Sequence, residues 1–169
     1  TVGGSLAHAD PAADWVLAAR ALNAQVEVCA FEQAPRLVNM QDFMLAAYTT
    51  ILGEGEAITA LHLPLLSAQA RWGYYKFCRK TGEFAEASCA AYFEPASATA
   101  YIVVGALDGA PVALETLASA VARSGVAAAS EAAIEAALRE NIDQLDTLGR
   151  RMAGAAVTRC LKQAFGVHA

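Results

Sequence analysis

The order of the predicted elements indicates an α+β fold, in which a small antiparallel sheet is followed by a three-helix layer. Short stretches of apolar residues alternate or run continuously up to residue 107, as they do in strands. The pair Asp108-Gly109 is a strong hairpin signal. After Glu115 the apolar residues recur at helical spacing, and strands followed by helices are typical of α+β proteins.

The first third of the chain predicts alternating short helices and strands. Apolar residues have helical spacing over residues 12–23, and they alternate over residues 25–31 as in a strand. The other elements expected here are a strand over 36–38, a helix over 41–45 capped by Asn39, and a strand over 57–63 that Pro64 ends. Gly53-Glu54-Gly55 superficially resembles a nucleotide-binding loop. Because its two acidic neighbours would repel a phosphate, a simple turn is predicted instead.

The remainder predicts the sheet and its helices. A strand pair is expected over residues 71–79 and 87–93, on either side of Gly82, followed by a third strand over 98–107. Three helices complete the chain, over residues 115–123, over 131–141 with Ser130 as its N-cap, and over 147–165.

Composition and charge exclude several classes of function. The net charge is −5 without a basic cluster, which argues against binding to nucleic acid. No apolar run approaches the roughly 18 residues of a transmembrane segment. The four cysteines are widely spaced, which predicts reduced thiols and excludes an iron–sulfur ligand set. The three histidines (His8, His62 and His168) have no metal-ligand spacing, so no metal site is expected.

The first fourteen residues predict a binding site for an anion. Thr1-Val2-Gly3-Gly4-Ser5 has little side-chain bulk, so backbone N–H groups can approach a phosphate, and glycine reaches positive φ without strain. Asp10 and Pro11 then have the pattern of an N-cap and a first helical residue. The segment is interpreted as an anion-binding turn that leads into a helix; the alternative is an ordinary glycine loop.

Four segments in order give the chain a resemblance to a known family. They are Thr-x-Gly-Gly-Ser with Ala-Asp-Pro-x-Ala-Asp over 1–14, Gly-Glu-x-Ile leading to Leu-His-Leu-Pro over 55–64, Tyr-Lys-Phe-Cys-Arg-Lys-Thr-Gly-Glu-Phe-Ala over 75–85, and Arg-Arg-Met-Ala-Gly-Ala-Ala-Val over 150–157. Together these motifs resemble the FAD-binding medium subunit of the molybdenum hydroxylases, the family of carbon monoxide dehydrogenase and xanthine dehydrogenase.

The resemblance implies two domains. Residues 1–66 would be the C-terminal part of the FAD-binding lobe, and residues 67–169 the C-terminal domain of sheet and helices. The family has an earlier glycine-rich loop that also contacts the FAD diphosphate, and this sequence does not contain it. We therefore expect an N-terminally truncated subunit with an incomplete FAD site, inactive alone.

The resemblance also assigns site residues. The diphosphate or the ribityl chain would be held by Thr1, Gly3, Gly4 and Ser5, and His8 would make a further cofactor contact. Asp14 would bond the sugar part, Ile58 would pack against the adenosine or flavin end, and Lys76 would lie beside the flavin pyrimidine edge. Phe84 would flank the ring. No catalytic residue and no metal ligand is assigned to this chain.

Each assignment has a structural alternative. His8 has the alternative of a surface or capping residue, and Asp14 that of a first-turn acid that complements a helix dipole, which is compatible with a cofactor contact. Ile58 and Phe84 have the alternative of ordinary core residues, and Lys76 that of an exposed strand lysine.

The implied function is electron transfer. Substrate would be oxidised at a molybdenum cofactor in a large partner subunit, and electrons would pass through the [2Fe–2S] clusters of a small partner subunit to FAD in this chain, then to an external acceptor. A cytoplasmic location is expected from the four widely spaced cysteines, which are typical of reduced thiols. The alternative is a non-catalytic module that docks partner subunits without holding flavin. The helix over 147–165 is expected to present Val157, Leu161 and Phe165 as part of an apolar partner face; the alternative is that these residues belong to the wide core face of that helix.

Overall fold

A computed structural model describes residues 1–166 and confirms the α+β class. The elements, in chain order, are α1 (Val2–His8), α2 (Asp14–Ala21), β1 (Gln25–Ala30), β2 (Arg36–Asn39), α3 (Met40–Phe43), β3 (Met44–Ala46), β4 (Thr49–Thr50), β5 (Glu56–His62), β6 (Arg71–Phe77), β7 (Ala87–Glu94), β8 (Thr99–Gly105), β9 (Val112–Ala113), α4 (Glu115–Ser124), α5 (Glu131–Asn141) and α6 (Thr147–Phe165). A short 3₁₀ turn over Val126–Ala128 precedes α5.

The first sheet is small and antiparallel, with the strand order β2-β1-β5. Its valines Val26 and Val28 are fully buried because alternate β1 side chains point towards the core. They pack with Leu6 of α1, Val16 of α2 and Phe43 of α3. The turn before β5 forms as expected, with Gly55 at a φ of 77°.

The second sheet has the order β6-β7-β8-β9, antiparallel throughout, and α4, α5 and α6 cover one of its faces. Strand β6 and helix α6 approach closely at Gly73. A Cβ atom built on Gly73 would lie 2.0 Å from the Cys160 carbonyl oxygen. Glycine at this position therefore lets the helix rest directly on the strand backbone.

Helix α2 belongs to both halves of the molecule. Its Val16 and Ala19 lie in the core of the first sheet. Its Leu17 and Ala21 pack on Ala90 of β7 and Val103 of β8, on the face of the second sheet opposite α6. One short helix therefore supplies buried side chains to two sheets.

The connection between the sheets is fixed at Ser67. The Ser67 N–H and its hydroxyl each donate to the Glu94 carboxylate at 2.7 Å, and these bonds lower the pKa of Glu94. The connecting segment is thus attached to the end of β7.

Three expectations about the elements are wrong. Residues 2–8 form a helix rather than a turn, because Thr1 caps it, and neither Gly3 nor Gly4 has a positive φ. Helix α2 begins at Asp14 rather than residue 12, because the Asp10 carboxylate accepts the Ala12 N–H at 2.9 Å and closes a separate turn. The short β3–β4 hairpin was not anticipated.

Two side-chain expectations also fail. Val157 and Leu161 do not form part of an exposed apolar face, because both are buried against the sheet. Phe165 packs partly against the same core. Phe84 is not a core residue, since 71% of it is exposed.

Candidate functional site

The glycine-rich segment forms the first turn of α1 and packs against β5. The Thr1 hydroxyl accepts the Gly4 N–H at 3.0 Å, and the Thr1 carbonyl accepts the Ser5 N–H at 3.0 Å. Since the first N–H groups of a helix have no intrahelical partner, those of Val2 and Gly3 remain able to donate. A Cβ atom on Gly3 would lie 3.7 Å from Cγ2 of Ile58. The structure therefore brings Thr1, Gly3, Gly4, Ser5 and Ile58 into one region.

His8 lies at the opposite end of the same helix. It lies seven positions after Thr1, which corresponds to about 10 Å along a helix axis. His8 is exposed, and its ring centroid is 5.2 Å from that of Tyr48. Its observed contact is thus with the loop that joins β3 and β4, away from the capped end of α1.

A polar cluster joins the start of α2 to β6. The Lys76 ammonium lies 3.1 Å from both carboxylate oxygens of Asp14. The Tyr74 hydroxyl donates to Oδ1 of Asp14 at 2.5 Å. Tyr74 and Lys76 are two residues apart on one strand and therefore share a face. We call these three side chains the Asp14 cluster.

The protonation state of the cluster follows from its surroundings. Burial raises the pKa of Tyr74, and the neighbouring Asp14 carboxylate raises it further. The phenol therefore remains protonated and acts as a donor. Asp14 thus accepts hydrogen bonds from a neutral hydroxyl and from the Lys76 ammonium.

Asp14 also lies in the first turn of α2, where a carboxylate complements the helix dipole. The structural alternative predicted from the sequence is therefore compatible with the cluster. Sequence reasoning selected Asp14 and Lys76 but not Tyr74, although alternation along β6 offered a signal for it.

Exposed aromatic residues lie close to the cluster in sequence. Trp15 follows Asp14 and is 52% exposed, and Phe77 follows Lys76 and is 39% exposed. Phe84 lies in the loop after β6. Exposed hydrophobic side chains scattered singly over a surface are common, so these rings do not by themselves identify a site.

The described residues contain no cluster of His, Cys, Asp and Glu side chains that could hold a metal ion. His168, one of the histidines considered above, lies outside the described residues. Across residues 1–166, no helix has both the length and the apolar character needed to cross a membrane.

Comparison with known proteins shows a matching family model and similar sequences. Residues 1–66 match the family model for the FAD binding domain in molybdopterin dehydrogenase. The chain is a homologue of the FAD-binding medium subunits of molybdenum hydroxylases. Its relatives include subunits of a carbon monoxide dehydrogenase and of a nicotine hydroxylase.

Two relatives illustrate the similarity. The carbon monoxide dehydrogenase medium chain of Hydrogenophaga pseudoflava is 32% identical over 179 residues, which cover 98% of this chain and 60% of the relative. The nicotine 6-hydroxylase medium subunit of Paenarthrobacter nicotinovorans is 36% identical over 110 residues, which cover 65% of this chain and 38% of the relative. The chain thus matches less than two thirds of the length of either relative.

Solved structures agree on the fold. Reconstituted CO dehydrogenase from Oligotropha carboxidovorans matches with a TM-score of 0.84 and 24% identity, over 99% of this chain and 62% of the other. The carbon monoxide dehydrogenase of Hydrogenophaga pseudoflava that lacks the Mo-pyranopterin moiety matches with a TM-score of 0.79 and 26% identity, over 100% of this chain and 62% of the other.

Proposed function

We propose that this chain holds FAD as the electron-transfer subunit of a molybdenum-containing hydroxylase or dehydrogenase. The observation that carries the proposal is the match of residues 1–66 to an FAD-binding domain. Electrons would come from the [2Fe–2S] clusters of a small partner subunit, after substrate oxidation at the molybdenum cofactor of a large partner subunit. They would leave to an external acceptor. When bound, FAD supplies the ability to accept and release electrons singly or in pairs.

The start of α1 has the properties that a diphosphate requires. Two backbone N–H groups are available there, and the positive end of the helix dipole favours an anion. The hydroxyls of Thr1 and Ser5 add polar groups. Because Gly3 has no side chain, a diphosphate could approach its backbone N–H closely. Gly4 contributes by its small size, because a Cβ atom there would lie 2.8 Å from the Thr1 hydroxyl oxygen.

The Asp14 cluster is suited to the polar parts of the cofactor. Asp14 would accept a hydrogen bond from the sugar part, and it also holds the Lys76 ammonium at a defined position. Lys76 would lie beside the pyrimidine edge, where a cation favours the negative charge that the ring gains on reduction. Tyr74 orients Asp14 through its own hydrogen bond.

The remaining assignments concern apolar and peripheral contacts. Ile58 is half-buried beside Gly3, so its exposed part would pack against the cofactor. The exposed ring of Phe84 would flank the flavin. His8 would contact the cofactor from the other end of α1.

The experiment joins this chain to the earlier glycine-rich loop that the family resemblance implies, and compares this FAD-loaded wild-type protein with its Lys76→Met variant. Bound FAD is measured by visible absorbance, and the midpoint potential by redox titration. We expect Lys76→Met to lower the potential while FAD content stays close to that of the wild type, because the charge acts on the reduced ring rather than on the diphosphate. Lys162→Met is the matched control, since Lys162 lies on α6, which packs on the opposite face of the second sheet.

Two results would contradict the proposal at different levels. If the wild-type protein takes up no FAD, the docking module without flavin is the better description. If FAD is bound but the Lys76→Met and Lys162→Met variants have the wild-type potential, Lys76 is an ordinary strand lysine.

A further inference from the structure

An open groove between α5 and α6 lies outside the proposed flavin site. It has a volume of about 1380 Å³, and small residues such as Ala132, Gly154 and Ala155 line part of it. We call it the α5–α6 groove and define it by its charged residues: Glu131, Glu135, Arg139, Arg150, Arg151, Arg159 and Lys162. It includes the Arg-Arg pair at the start of the last motif noted in the sequence.

The groove is basic in an acidic protein. Five of its side chains are basic and two are acidic, a net charge of +3, whereas the whole chain has a net charge of −5. The basic residues come from separate positions along α5 and α6. The fold therefore gathers a positive surface that the linear sequence does not show as a cluster.

The two acidic residues do not neutralise the rest of the groove. Glu135 accepts from Arg139 Nε at 2.8 Å, and Arg150 Nε lies 3.9 Å from the same oxygen. Its charge is thus already shared between two arginines. Glu131 occupies the first turn of α5, where the helix dipole offsets a negative charge.

Three cations on α6 remain without a carboxylate partner among residues 1–166: Arg151, Arg159 and Lys162. Arg159 lies 5.0 Å from the centroid of the Tyr75 ring and donates to the Tyr75 hydroxyl, so its guanidinium is held in place. From Arg151 to Lys162 the helix rises about 16 Å. The groove therefore presents a row of positive charge about three helical turns long, with Arg159 held in place within it.

We propose that the α5–α6 groove docks a short acidic segment of a partner polypeptide. Carboxylates spaced along such a segment would meet the row of cations, and the small residues of the groove would let its backbone approach α6. A nucleic acid fits less well, because its charges continue every ~1.7 Å beyond the groove and meet the negative remainder of the protein. This proposal is independent of flavin binding.

The test uses a short labelled peptide of repeated Glu-Glu-Ala-Ala, with binding followed by fluorescence anisotropy. We expect the wild-type chain to bind this peptide, and to bind it more weakly as salt is added. The double variant Arg151→Gln/Lys162→Gln should weaken binding roughly tenfold, since each lost ion pair contributes a few-fold. The matched control is Lys80→Gln/Arg123→Gln, which removes the same charge from residues that do not line the groove.

Circular dichroism verifies that both double variants remain folded. A Gln-Gln-Ala-Ala peptide that binds as tightly as the acidic one would overturn the proposal, as would equal losses in the two double variants or no binding by the wild type. A single-stranded DNA probe that binds more tightly than the peptide would overturn it in favour of a nucleic-acid surface.

Discussion

Asp14 illustrates how one side chain can combine a local and a long-range role. It begins α2, where a carboxylate complements the helix dipole, and it also accepts hydrogen bonds from Tyr74 and Lys76 of β6. The first role was evident from sequence, because it depends only on neighbours along the chain. The second was not, because it depends on how α2 packs on the second sheet.

Glu56 gives a prediction about pH at the same scale. Arg36 donates to its two carboxylate oxygens at 2.9 and 2.8 Å, and the Gly53 N–H donates to it at 2.7 Å. These bonds lower the pKa of Glu56 from 4.5 to about 2, with the Arg36 contribution the largest. A lowered pKa means that stabilisation is fully present above the ordinary pKa and is lost as the pH falls towards the folded value.

We therefore expect the difference in melting temperature between wild type and Glu56→Gln to be constant near neutral pH. It should shrink below about pH 4.5 and vanish near pH 2. Thermal melts followed by circular dichroism measure it. Glu54→Gln, at an exposed residue of the same turn, is the control and should differ little from wild type at any pH. A difference for Glu56→Gln that persists unchanged to pH 2 would show that the ion pair does not cause it.

At the scale of elements, the long helices were predicted best. The structure reproduces the expected bounds of α5 and α6 because each has sustained helical spacing and a capping side chain, Ser130 and Asp146. Helix α1 was missed because two adjacent glycines are poor helix formers. Its packing on β5 and its Thr1 cap outweigh that preference, and neither can be recognised from periodicity.

The contact between β6 and α6 predicts a strong effect at Gly73. A methyl group there would meet the Cys160 carbonyl, so we expect Gly73→Ala to lower the free energy of unfolding by about 1–3 kcal/mol or more. Gly109→Ala is the control, since nothing lies within 4 Å of a Cβ atom at that position. Urea unfolding measures both variants. Equal free energies of unfolding for the two variants would show that α6 can move away from β6 without loss of stability.

At the scale of the whole molecule, the candidate site depends on the union of distant segments. The region at the start of α1 combines residues 1–5 with Ile58 of β5, and Lys76 comes from β6 of the second sheet. Sequence reasoning placed these residues in one site only through a family resemblance, because spacing alone cannot show that α2 packs on β7 and β8 with Asp14 beside β6. The basic α5–α6 groove was missed for a related reason, since only the fold shows that the four cations of α6 share a groove with Arg139 of α5.

The two-sided packing of α2 predicts the effect of Leu17→Ala. Leu17 is 2% exposed and contacts the second sheet, so its truncation should lower the free energy of unfolding by about 2–5 kcal/mol. Leu148→Ala, at a residue that is 64% exposed, should change it by less than about 0.5 kcal/mol. Urea titrations of both variants measure the difference, and a similar stability would contradict the structural role of α2.

Because α2 is shared, the two sheets are coupled in folding as well as in position. Unfolding of the first sheet would remove α2 from the second and leave Ala90 and Val103 uncovered, while Lys76 would lose its counter-ion. Unfolding of either half would therefore destabilise the other, and such mutual dependence leads to a single cooperative unfolding transition. Unfolding curves from tryptophan fluorescence and from circular dichroism should therefore coincide, and the proposed boundary near residue 66 would mark a division of structure rather than of folding.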